Sequence, residues 1–504
     1  MTKSALIGIA KRGRKVDGHG PWPRAVVTKE VWRLAIQELV EARATLLDLW
    51  ADKQTVHMAL LDETSNDIMV FTVEGRDFPS VGKHHPAAIR LERTIRDLYG
   101  LNPVGLPDTR PWLDHGVWGI KHPLGSARRS SGAPPAYNFL PTEGEALHQI
   151  PVGPVHAGII EPGHFRFTAS GETVVRLEER LGYVHKGTQS LMIGADIDKA
   201  ARLAGRVSGD STVAYAFAFA QAVEAALGVK PPQRAVWLRA LMSELERLAN
   251  HFGDIGAICN DASFSLLYAE CGVLRELTLR TAKACFGHRL MMDCIVPGGV
   301  AENLAPDGLQ HLRSLVETVR RKFPELIGIY DNTASLQDRT VTTGQLSPAL
   351  ARAFGAGGYV GRASGRDFDA RKAMAYAPYG ELAFEVPVFD QGDVNARVWV
   401  RIREVEQSLG LIEQIVERLP AGATMVDLGN LGATGEGLGL VEGFRGDVLV
   451  WVRIGADGLV AACHLRDPSW FHWPLLEAVI EGNIVADFPL CNKSFNCSYS
   501  GHDL

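Results

Sequence analysis

Four segments of the 504-residue chain gather polar side chains at spacings that could carry out chemistry. At the last of them, helical spacing puts His251 and Asp254 on one face of a helix with Arg247, which lies just before the segment, and the three could form a charge-assisted network or a proton relay. The alternative is a solvated helix face, which is favoured because charged residues are seldom fully buried unless they are paired. The segments are 153–164 (GPVHAGIIEPGH), 182–187 (GYVHKG), 206–215 (RVSGDSTVAY) and 251–261 (HFGDIGAICND).

The cysteines do not show the spacing of a metal centre. There are seven of them without any C-x-x-C pair, so reduced thiols are expected. Iron–sulfur clusters and structural zinc need about four thiolate or imidazole ligands, usually with two of them closely spaced. The chain is therefore predicted to hold neither. The cysteines are Cys259, Cys271, Cys285, Cys294, Cys463, Cys491 and Cys497.

Two glycine-rich runs, 428–446 and 355–361, lack the spacing of a nucleotide-binding loop. The first contains neither G-x-G-x-x-G nor G-x-x-x-x-G-K-[ST], and no strand-then-helix pattern frames it. It is predicted to be a tightly turning loop between a helix and a hairpin, and the same interpretation applies to the second run.

Long segments with apolar residues at helical spacing must position these clusters. One amphipathic helix is predicted from Arg397 to Pro420, and another begins after Pro231 and Pro232. A third, 212–227, is apolar nearly all round and is expected at the centre of a helical bundle. Two hairpins, near residues 170 and 455, are predicted at the edge of this region.

The chain before this helical region has a different pattern. Three alternating apolar runs (LLDLWAD, TVHMALLDE, NDIMVFTVE) predict adjacent strands, and a helix is expected at 89–99. A segment dense in Pro, Gly and Ser follows and predicts a connector. The predicted fold class is α+β, with a small α+β domain at 1–121, a linker at 122–149 and a mainly α-helical domain with small edge sheets at 150–504.

Composition excludes several classes of protein. Hydrophobic residues make up 46% and charged residues 22%, which is ordinary for a folded globular chain. The net charge of −6 argues against a broad electrostatic contact with nucleic acid. No run of about 18 uncharged apolar residues is present and no signal-peptide core, so the chain is expected neither to span a membrane nor to be secreted.

Several motifs occur in an order that resembles two related families. They are GPVHAGIIEPGHFRF, LGYVHKG, ELERLANHFGDIGA, QDRTVTTG, GRASGRDFDARK, GDVNARVWVRIREVEQSLGLIEQ, EGFRGD and LRDPSWFHWP. From residue 150 onward the chain resembles the large subunits of membrane-bound, energy-converting NiFe-hydrogenases of the formate hydrogenlyase type, and the homologous quinone-cavity subunit of complex I. Upstream, LERTIRDLYGLNPVGLPDTRPWLDHG (91–116) is similar to complex I's small peripheral-arm subunit, which formate hydrogenlyase-type subunits carry fused at the N-terminus.

The chain departs from the hydrogenases at the metal ligands. The family holds nickel and iron with four cysteines, in R-[VI]-C-G-x-C and D-P-C-x-x-C motifs. The first motif is R-V-S-G-D-S here, with Ser208 and Ser211 as the ligand positions. The second places Ser498 and Gly501 there, and leaves Cys497 one residue early. Because neutral hydroxyls and glycine cannot replace soft thiolates, the chain is expected to lack a nickel–iron site and hydrogen turnover.

The chain also departs from the quinone site of complex I. In that family a tyrosine and a loop histidine bind the quinone headgroup, and an aspartate pairs with that histidine. Here the tyrosine position is Gly209, the aspartate is Asp254, and either His156 or His164 matches the histidine. Tyr215 takes the place of a histidine of the hydrogenases. A quinone is a candidate substrate, and these departures argue against quinone binding in the family's manner.

The resemblance implies a set of protonatable and charged residues around the former metal cavity. Glu161 is placed like a proton-gate glutamate of the hydrogenases. A hydrogen-bonded relay is one interpretation of these groups, because a buried carboxylate is costly unless it is paired or neutralised. Mutual counter-ions on which the fold depends are the equal alternative. The candidate relay or cavity residues are Glu161, Asp254, His156, Tyr215 and Asp393, and the candidate lining residues are Arg206, Arg362, Arg397 and Arg445.

The resemblance implies a subunit in the peripheral arm of a multisubunit membrane complex, on the cytoplasmic face. Iron–sulfur clusters are expected in a neighbouring small subunit, and ion translocation in membrane subunits. The chain would bind no cofactor itself and would couple the redox module to ion transport. One alternative is a redox-inactive scaffold that only assembles the complex. Another is an oxidoreductase with a new organic electron acceptor beside Tyr215.

Overall fold

The computed structural model describes residues 4–131, 136–429 and 434–504. Helices dominate the chain after residue 188. The helices are α1 (Ala5–Ala10), α2 (Lys29–Val40), α3 (Ile89–Tyr99), α4 (Thr188–Met192), α5 (Ile197–Ala204), α6 (Thr212–Leu227), α7 (Gln233–Asp261), α8 (Ser265–Phe286), α9 (Gly308–Asn332), α10 (Ala334–Thr340), α11 (Pro348–Ala353), α12 (Gly358–Arg362), α13 (Ala370–Ala373), α14 (Val394–Arg418), α15 (Ser469–Val479), α16 (Phe488–Phe495) and α17 (Tyr499–Asp503).

The strands form several small sheets, of which the largest has five strands in the order β1-β3-β6-β5-β4. The strands are β1 (Arg14–Val16), β2 (His19–Gly20), β3 (Arg24–Val26), β4 (Thr45–Asp52), β5 (Thr55–Asp62), β6 (Asp67–Glu74), β7 (Asp77–Pro79), β8 (Asn102–Val104), β9 (Ile120–Lys121), β10 (Arg128–Arg129), β11 (Leu147–Val152), β12 (His164–Ser170), β13 (Thr173–Arg180), β14 (Ile295–Val296), β15 (Gly299–Val300), β16 (Gly435–Glu442), β17 (Asp447–Ile454) and β18 (Val460–Arg466).

The N-terminal module is built on the three apolar runs that the sequence marks as strands. They form the antiparallel ladder β4-β5-β6, with pairs such as Leu49↔Met58 and Met58↔Phe71. Helix α3 coincides with the predicted 89–99 segment and packs on β4. The predicted α+β module is therefore confirmed. Within the Pro/Gly/Ser-rich segment that follows, β10 pairs with β9 in a short hairpin.

The predicted long helices are confirmed as α6, α7 and α14. Helix α7 contacts both α8 and α14 along its length, and α9 packs on α8. The apolar positions predicted for α14, such as Val398, Ile402 and Leu409, are buried. Burying an aliphatic side chain of this size contributes about 1.5–3 kcal/mol, so this face holds the helix against its neighbours. Both predicted hairpins are also present, as β12-β13 and β17-β18.

Part of the first glycine-rich run, Gly435–Glu442, is a strand, so the prediction of a loop throughout the run was wrong. Strand β16 pairs with β17 and carries glycine at alternate positions 435, 437 and 439. A Cβ atom on Gly437 would lie 1.8 Å from the carbonyl oxygen of Ala222, because α6 crosses directly against the strand. The glycines therefore permit close packing of helix and strand backbones. Helix α6 is buried as predicted, but it packs mainly on β16 and β17 and not among other helices.

The second glycine-rich run was also predicted to be a loop, and part of it forms the short helix α12. Gly358 has φ +59°, and a Cβ atom there would lie 2.0 Å from the carbonyl oxygen of Arg445. The run thus brings α12 against the turn between β16 and β17. This contact positions Arg362 and Arg445, two of the charged residues considered below.

One apolar core joins the N-terminal module to the later part of the chain. It contains Trp32 and Phe71 from the module together with Phe165, Trp473 and Tyr499. The two parts therefore share buried surface and are not linked only by the connector. Across the described ranges, none of the helices combines the length and apolar character needed to cross a lipid bilayer.

Candidate functional site

The four positions that the resemblance matches to the metal ligands of the hydrogenases lie together. Ser208 precedes a 3-10 turn that leads into α6, and Ser498 is the N-cap of α17. Their hydroxyl oxygens are 3.2 Å apart although the residues are 290 positions apart in the chain. The backbone N–H of Gly501 donates to Ser498 Oγ at 2.9 Å. Tertiary structure thus assembles the four positions into one site.

An ion pair between Arg445 and Asp210 fills this site. Arg445 Nη2 lies 2.5 Å from Asp210 Oδ2, and Arg445 Nη1 donates to Ser211 Oγ at 3.0 Å. The hydroxyls of Ser208 and Ser211 both donate to Asp210 Oδ1, at 2.7 and 3.1 Å. Burial would raise the pKa of Asp210, but the charge of Arg445 and these hydrogen bonds outweigh it and lower the pKa to about 2. The aspartate is therefore ionised at neutral pH.

Asp467 occupies the space next to Gly501. Its Oδ2 accepts a hydrogen bond from the Tyr215 hydroxyl at 2.8 Å, and its Oδ1 accepts one from the Ser469 N–H. A Cβ atom on Gly501 would lie 2.5 Å from Asp467 Oδ2. Burial, followed by the charge of Asp467, raises the pKa of Tyr215 well above its usual range. Tyr215 is therefore a neutral hydrogen-bond donor.

The outer edge of the site is the loop between β11 and β12. His156 Nε2 lies 3.3 Å from the Tyr499 hydroxyl, and burial lowers the pKa of His156. Glu161 was expected among interior charges, but it is exposed, and its Oε2 accepts the Ser500 N–H at 3.0 Å. His164 instead hydrogen-bonds the carbonyl of Gly153 at 3.3 Å. Of the two histidines, His156 is the one in contact with α17 of the site.

Asp254 is buried beside this site with three polar neighbours. Its Oδ2 is 3.2 Å from Arg401 Nε, and its Oδ1 accepts from Asn496 Nδ2 at 2.9 Å. Lys493 Nζ is 3.7 Å from the same Oδ1. His156 is hydrogen-bonded to Tyr499 and not to Asp254, so the aspartate–histidine pair of the complex I family has no counterpart between these two side chains.

The face of α7 that carries Arg247, His251 and Asp254 is buried, so its interpretation as a solvated face was wrong. His251 Nε2 is 2.7 Å from Glu404 Oε2 on α14. Burial would raise the pKa of Glu404, yet the charge of Arg362 and the hydrogen bond to His251 hold it well below its usual range. Glu404 would raise the pKa of His251, but the effect of burial is larger and lowers this pKa. At neutral pH the imidazole is neutral and donates to an ionised carboxylate.

Glu404 belongs to a larger buried network with more acids than bases. Arg362 contacts Glu404 at 2.7 Å and Glu442 at 2.8 Å, and Arg371 contacts Glu244 at 3.0 Å. Burial and the charge of Asp369 raise the pKa of Glu442 to about 7. The network can therefore hold a proton near neutral pH. Its three guanidinium groups are those of Arg247, Arg362 and Arg371, and its four carboxylates are those of Glu244, Asp369, Glu404 and Glu442.

Three of the candidate residues take positions of a different kind. Asp393 caps α14, because its two oxygens accept the N–H groups of Ala396 and Thr342 at 2.7 and 2.8 Å. Arg397 donates to Ser494 Oγ and to two backbone carbonyls. Arg206 is exposed and pairs with Asp293.

Sequence reasoning singled out neither Asp210, Asp467, Glu404 nor Glu442. Each lies within a recognisable motif, but the arginine or tyrosine side chain that pairs with it is more than 40 residues away in the chain, as the 42-residue gap between Arg362 and Glu404 illustrates. The seven cysteines are buried and unpaired in disulfides. Within the described ranges, no three His, Cys, Asp or Glu side chains are arranged to hold a metal ion.

Comparison with known proteins shows the family of this chain. Residues 25–132 match the model of the respiratory-chain NADH dehydrogenase 30 kDa subunit, and residues 265–434 match that of the 49 kDa subunit. Formate hydrogenlyase subunit 5 of Escherichia coli K12 is 33% identical over 85% of this chain and 77% of its own length. The chain belongs to this family. The expected fusion of the two complex I-like parts and the α+β fold class are thereby confirmed.

Other members of the family are similar over most of their length. The carbon monoxide-induced hydrogenase of Rhodospirillum rubrum is 31% identical over 70% of this chain and 98% of its own length. The C/D subunit of the NADH-quinone oxidoreductase of Phocaeicola vulgatus is 28% identical over 76% of this chain and 78% of its own length. A chain of the membrane-bound sulfane sulfur reductase, an archaeal respiratory membrane complex, superposes with a TM-score of 0.67 at 27% identity, covering 71% of this chain and 99% of that one.

Proposed function

We propose that this chain is the large subunit in the peripheral arm of a membrane-bound respiratory complex, where it couples a neighbouring iron–sulfur redox module to ion translocation without a nickel–iron centre of its own. Family membership supports the setting. The observation that carries the proposal is that serine hydroxyls and a glycine stand at the positions matched to the family's metal ligands, with the Arg445–Asp210 ion pair beside them. Position on the cytoplasmic face of the membrane is part of the same proposal.

The donor chemistry of the site does not fit nickel and iron. Such a centre selects soft thiolates, whereas Ser208, Ser211 and Ser498 offer neutral hydroxyls that are already hydrogen-bonded. The guanidinium of Arg445 lies among them and would repel a divalent cation. Cys497 is buried, and burial raises the pKa of its thiol well above the usual range. These features support a reaction other than hydrogen turnover.

The proton-coupling part of the proposal rests on the buried carboxylates. Asp254 and the network around Glu404 lie on α7 and α14, next to the former metal site. Because Glu442 has a pKa of about 7, a proton can enter or leave the network without a large free-energy cost. Glu161 at the surface would be the entry group. Asp393 has both oxygens bound by backbone N–H groups and would support α14.

The proposal is tested by Asp254→Asn in the assembled complex. The amide keeps the shape of the side chain but cannot carry the proton, so we expect coupled ion transport to be lost while assembly is unchanged. Asp261→Asn is a matched control, since Asp261 ends the same helix and is exposed. Transport at the wild-type rate in the assembled Asp254→Asn complex would refute the relay. One equivalent of nickel in the purified complex would refute the absence of the metal centre.

A redox-inactive scaffold is the second candidate function. The ion pairs favour this function, because each carboxylate of the buried network has an arginine partner. A cluster whose only role is to stabilise the fold would be paired in the same way. A scaffold predicts that Asp254→Asn leaves transport unaltered, so the same experiment separates the two functions.

A quinone is a candidate substrate because of one new contact. The family's quinone-binding tyrosine position is Gly209 here, but the Tyr499 hydroxyl lies 3.3 Å from His156 and offers a tyrosine–histidine pair from another part of the chain. The exposed apolar side chains of Val155 (79%) and Ile159 (98%) in the same loop support a partner subunit that covers this edge. Quinone-dependent electron transfer by the purified complex would support this substrate.

A further inference from the structure

A mainly apolar cleft of about 280 Å³ lies between the N-terminal module and the later part of the chain. Strand β4 and helix α3 form one wall, and the segment around α4 forms another. The cleft is rich in aromatic side chains, which bind flat apolar molecules well. The aromatic residues that line it include Trp50, Tyr99, Trp118 and Trp470.

A second cleft of about 280 Å³ adjoins the first and is basic. Lys53, Arg76 and Arg128 line it, and no carboxylate lies among its described lining residues. None of the three cations forms an ion pair with a carboxylate in the part of the chain that the structure describes. Three cations of the same sign around one cleft attract an anion.

Tyr99 and Leu124 line both clefts, so the two are adjacent. They meet at the C-terminal end of α3, where free carbonyl groups would repel an anion. The turn that follows β9 satisfies these carbonyls: His122 Nδ1 lies 2.9 Å from the oxygen of Arg96, and the Leu124 N–H donates to Leu98 at 2.9 Å. The helix end therefore leaves the positive field of the second cleft largely intact.

We propose that the two clefts bind one amphipathic anion, with a flat apolar body in the first cleft and a phosphate or carboxylate group in the second. A neutral apolar ligand would leave the three cations without a partner. An inorganic anion would leave the aromatic walls empty. This site is separate from the serine site around Arg445, and none of the residues assigned to that site lines either cleft.

The test is calorimetric titration of the full chain with naphthyl phosphate, which has both properties in a small molecule. We expect one site per chain and tighter binding than either naphthol or inorganic phosphate gives. The double reversal Arg76→Glu/Arg128→Glu should weaken binding at least about tenfold, because it replaces two attractions by two repulsions. The matched control is Lys29→Glu/Arg33→Glu, which changes the charge equally at a different cleft of the same module and should leave affinity within about twofold.

A second variant tests the apolar cleft. Ser190→Trp replaces an exposed residue at the cleft wall, so it fills the space without disturbing the core, and it should abolish binding. Two outcomes would overturn the proposal: naphthol binding as tightly as naphthyl phosphate, or binding lost in Lys186→Glu but retained in Arg76→Glu/Arg128→Glu. The second result would put the anion in the first cleft, which Lys186 also lines.

The source of the anion is distinguished with vesicles. Co-sedimentation with phosphatidylglycerol vesicles, and not with phosphatidylcholine vesicles, would identify a lipid headgroup and its chain as the ligand. For this conclusion, Ser190→Trp and Arg76→Glu/Arg128→Glu must each abolish the co-sedimentation. Binding of naphthyl phosphate without sedimentation would identify a soluble metabolite of the same chemistry. Absence of both would refute the site.

Discussion

Replacing Gly501 by alanine tests whether the carboxylate of Asp467 has taken the space of a lost ligand side chain. The new Cβ atom would lie 2.5 Å from Asp467 Oδ2 and 2.9 Å from Ser498 Oγ, well inside contact distance. Asp467 cannot move freely, because it accepts hydrogen bonds from Tyr215 and Ser469. Either the helix or this hydrogen-bonded group must shift.

The expected cost follows from these contacts. Overpacking a buried site costs about 1–3 kcal/mol, and leaving a buried hydroxyl such as that of Tyr215 without its partner costs about 1–3 kcal/mol. The gain in helix propensity from glycine to alanine offsets about 1 kcal/mol. We therefore expect Gly501→Ala to lower the free energy of unfolding by about 1–5 kcal/mol. A cysteine at this position has the same Cβ and would meet the same obstacle.

Urea unfolding followed by tryptophan fluorescence measures this change. Gly209→Ala is the matched control, because Gly209 lies in the turn of the same site and a Cβ there meets no atom within 4 Å. Its stability should stay within about 0.5 kcal/mol of the wild type. In an Asp467→Ala background, Gly501→Ala should cost less than about 1 kcal/mol. Equal stability of Gly501→Ala and Gly209→Ala, or an undiminished cost in that background, would refute the reasoning.

Two further predictions concern the strand glycines and a buried histidine. Gly437→Ala should cost more than about 3 kcal/mol or prevent soluble expression, because its Cβ would lie 1.8 Å from a backbone oxygen of α6. Gly410→Ala, inside α14, meets no atom within 4 Å, so in the same urea assay it should cost nothing and should stabilise the chain by up to about 1 kcal/mol. Burial lowers the pKa of His472 to about 3. Between about pH 6.5 and pH 3 only the unfolded chain then binds a proton at His472. The folded state is therefore most stable, as far as this group is concerned, above pH ~6.5, and acidification lowers the free energy of unfolding by up to ~1.4 kcal/mol per pH unit. His472→Gln keeps a donor for the Gly357 carbonyl. The variant should reduce the slope of the unfolding free energy against pH by the equivalent of about one proton. An unchanged slope would contradict the lowered pKa of His472.

The helices and hairpins were predictable because their cause is local. Apolar residues at steps of three and four define α14, and alternating apolar runs define β4, β5 and β6. Strand β16 was missed since its glycines carry no side-chain pattern. The reason for those glycines is the backbone of α6, which lies more than 200 residues earlier in the chain.

By itself the sequence pointed to the family through its ordered motifs, and it placed Ser208, Ser211, Ser498 and Gly501 at positions that the resemblance matches to the metal ligands. It did not single out Asp210 or Asp467. Only the tertiary structure decided how their charges are compensated. It buried Arg247 and His251, left Glu161 exposed, and brought Glu404 to His251 across 153 residues. Spacing reports which side chains share one face of an element. The surface that covers this face, and the counter-ions that it supplies, come from distant segments whose position depends on packing of the whole chain.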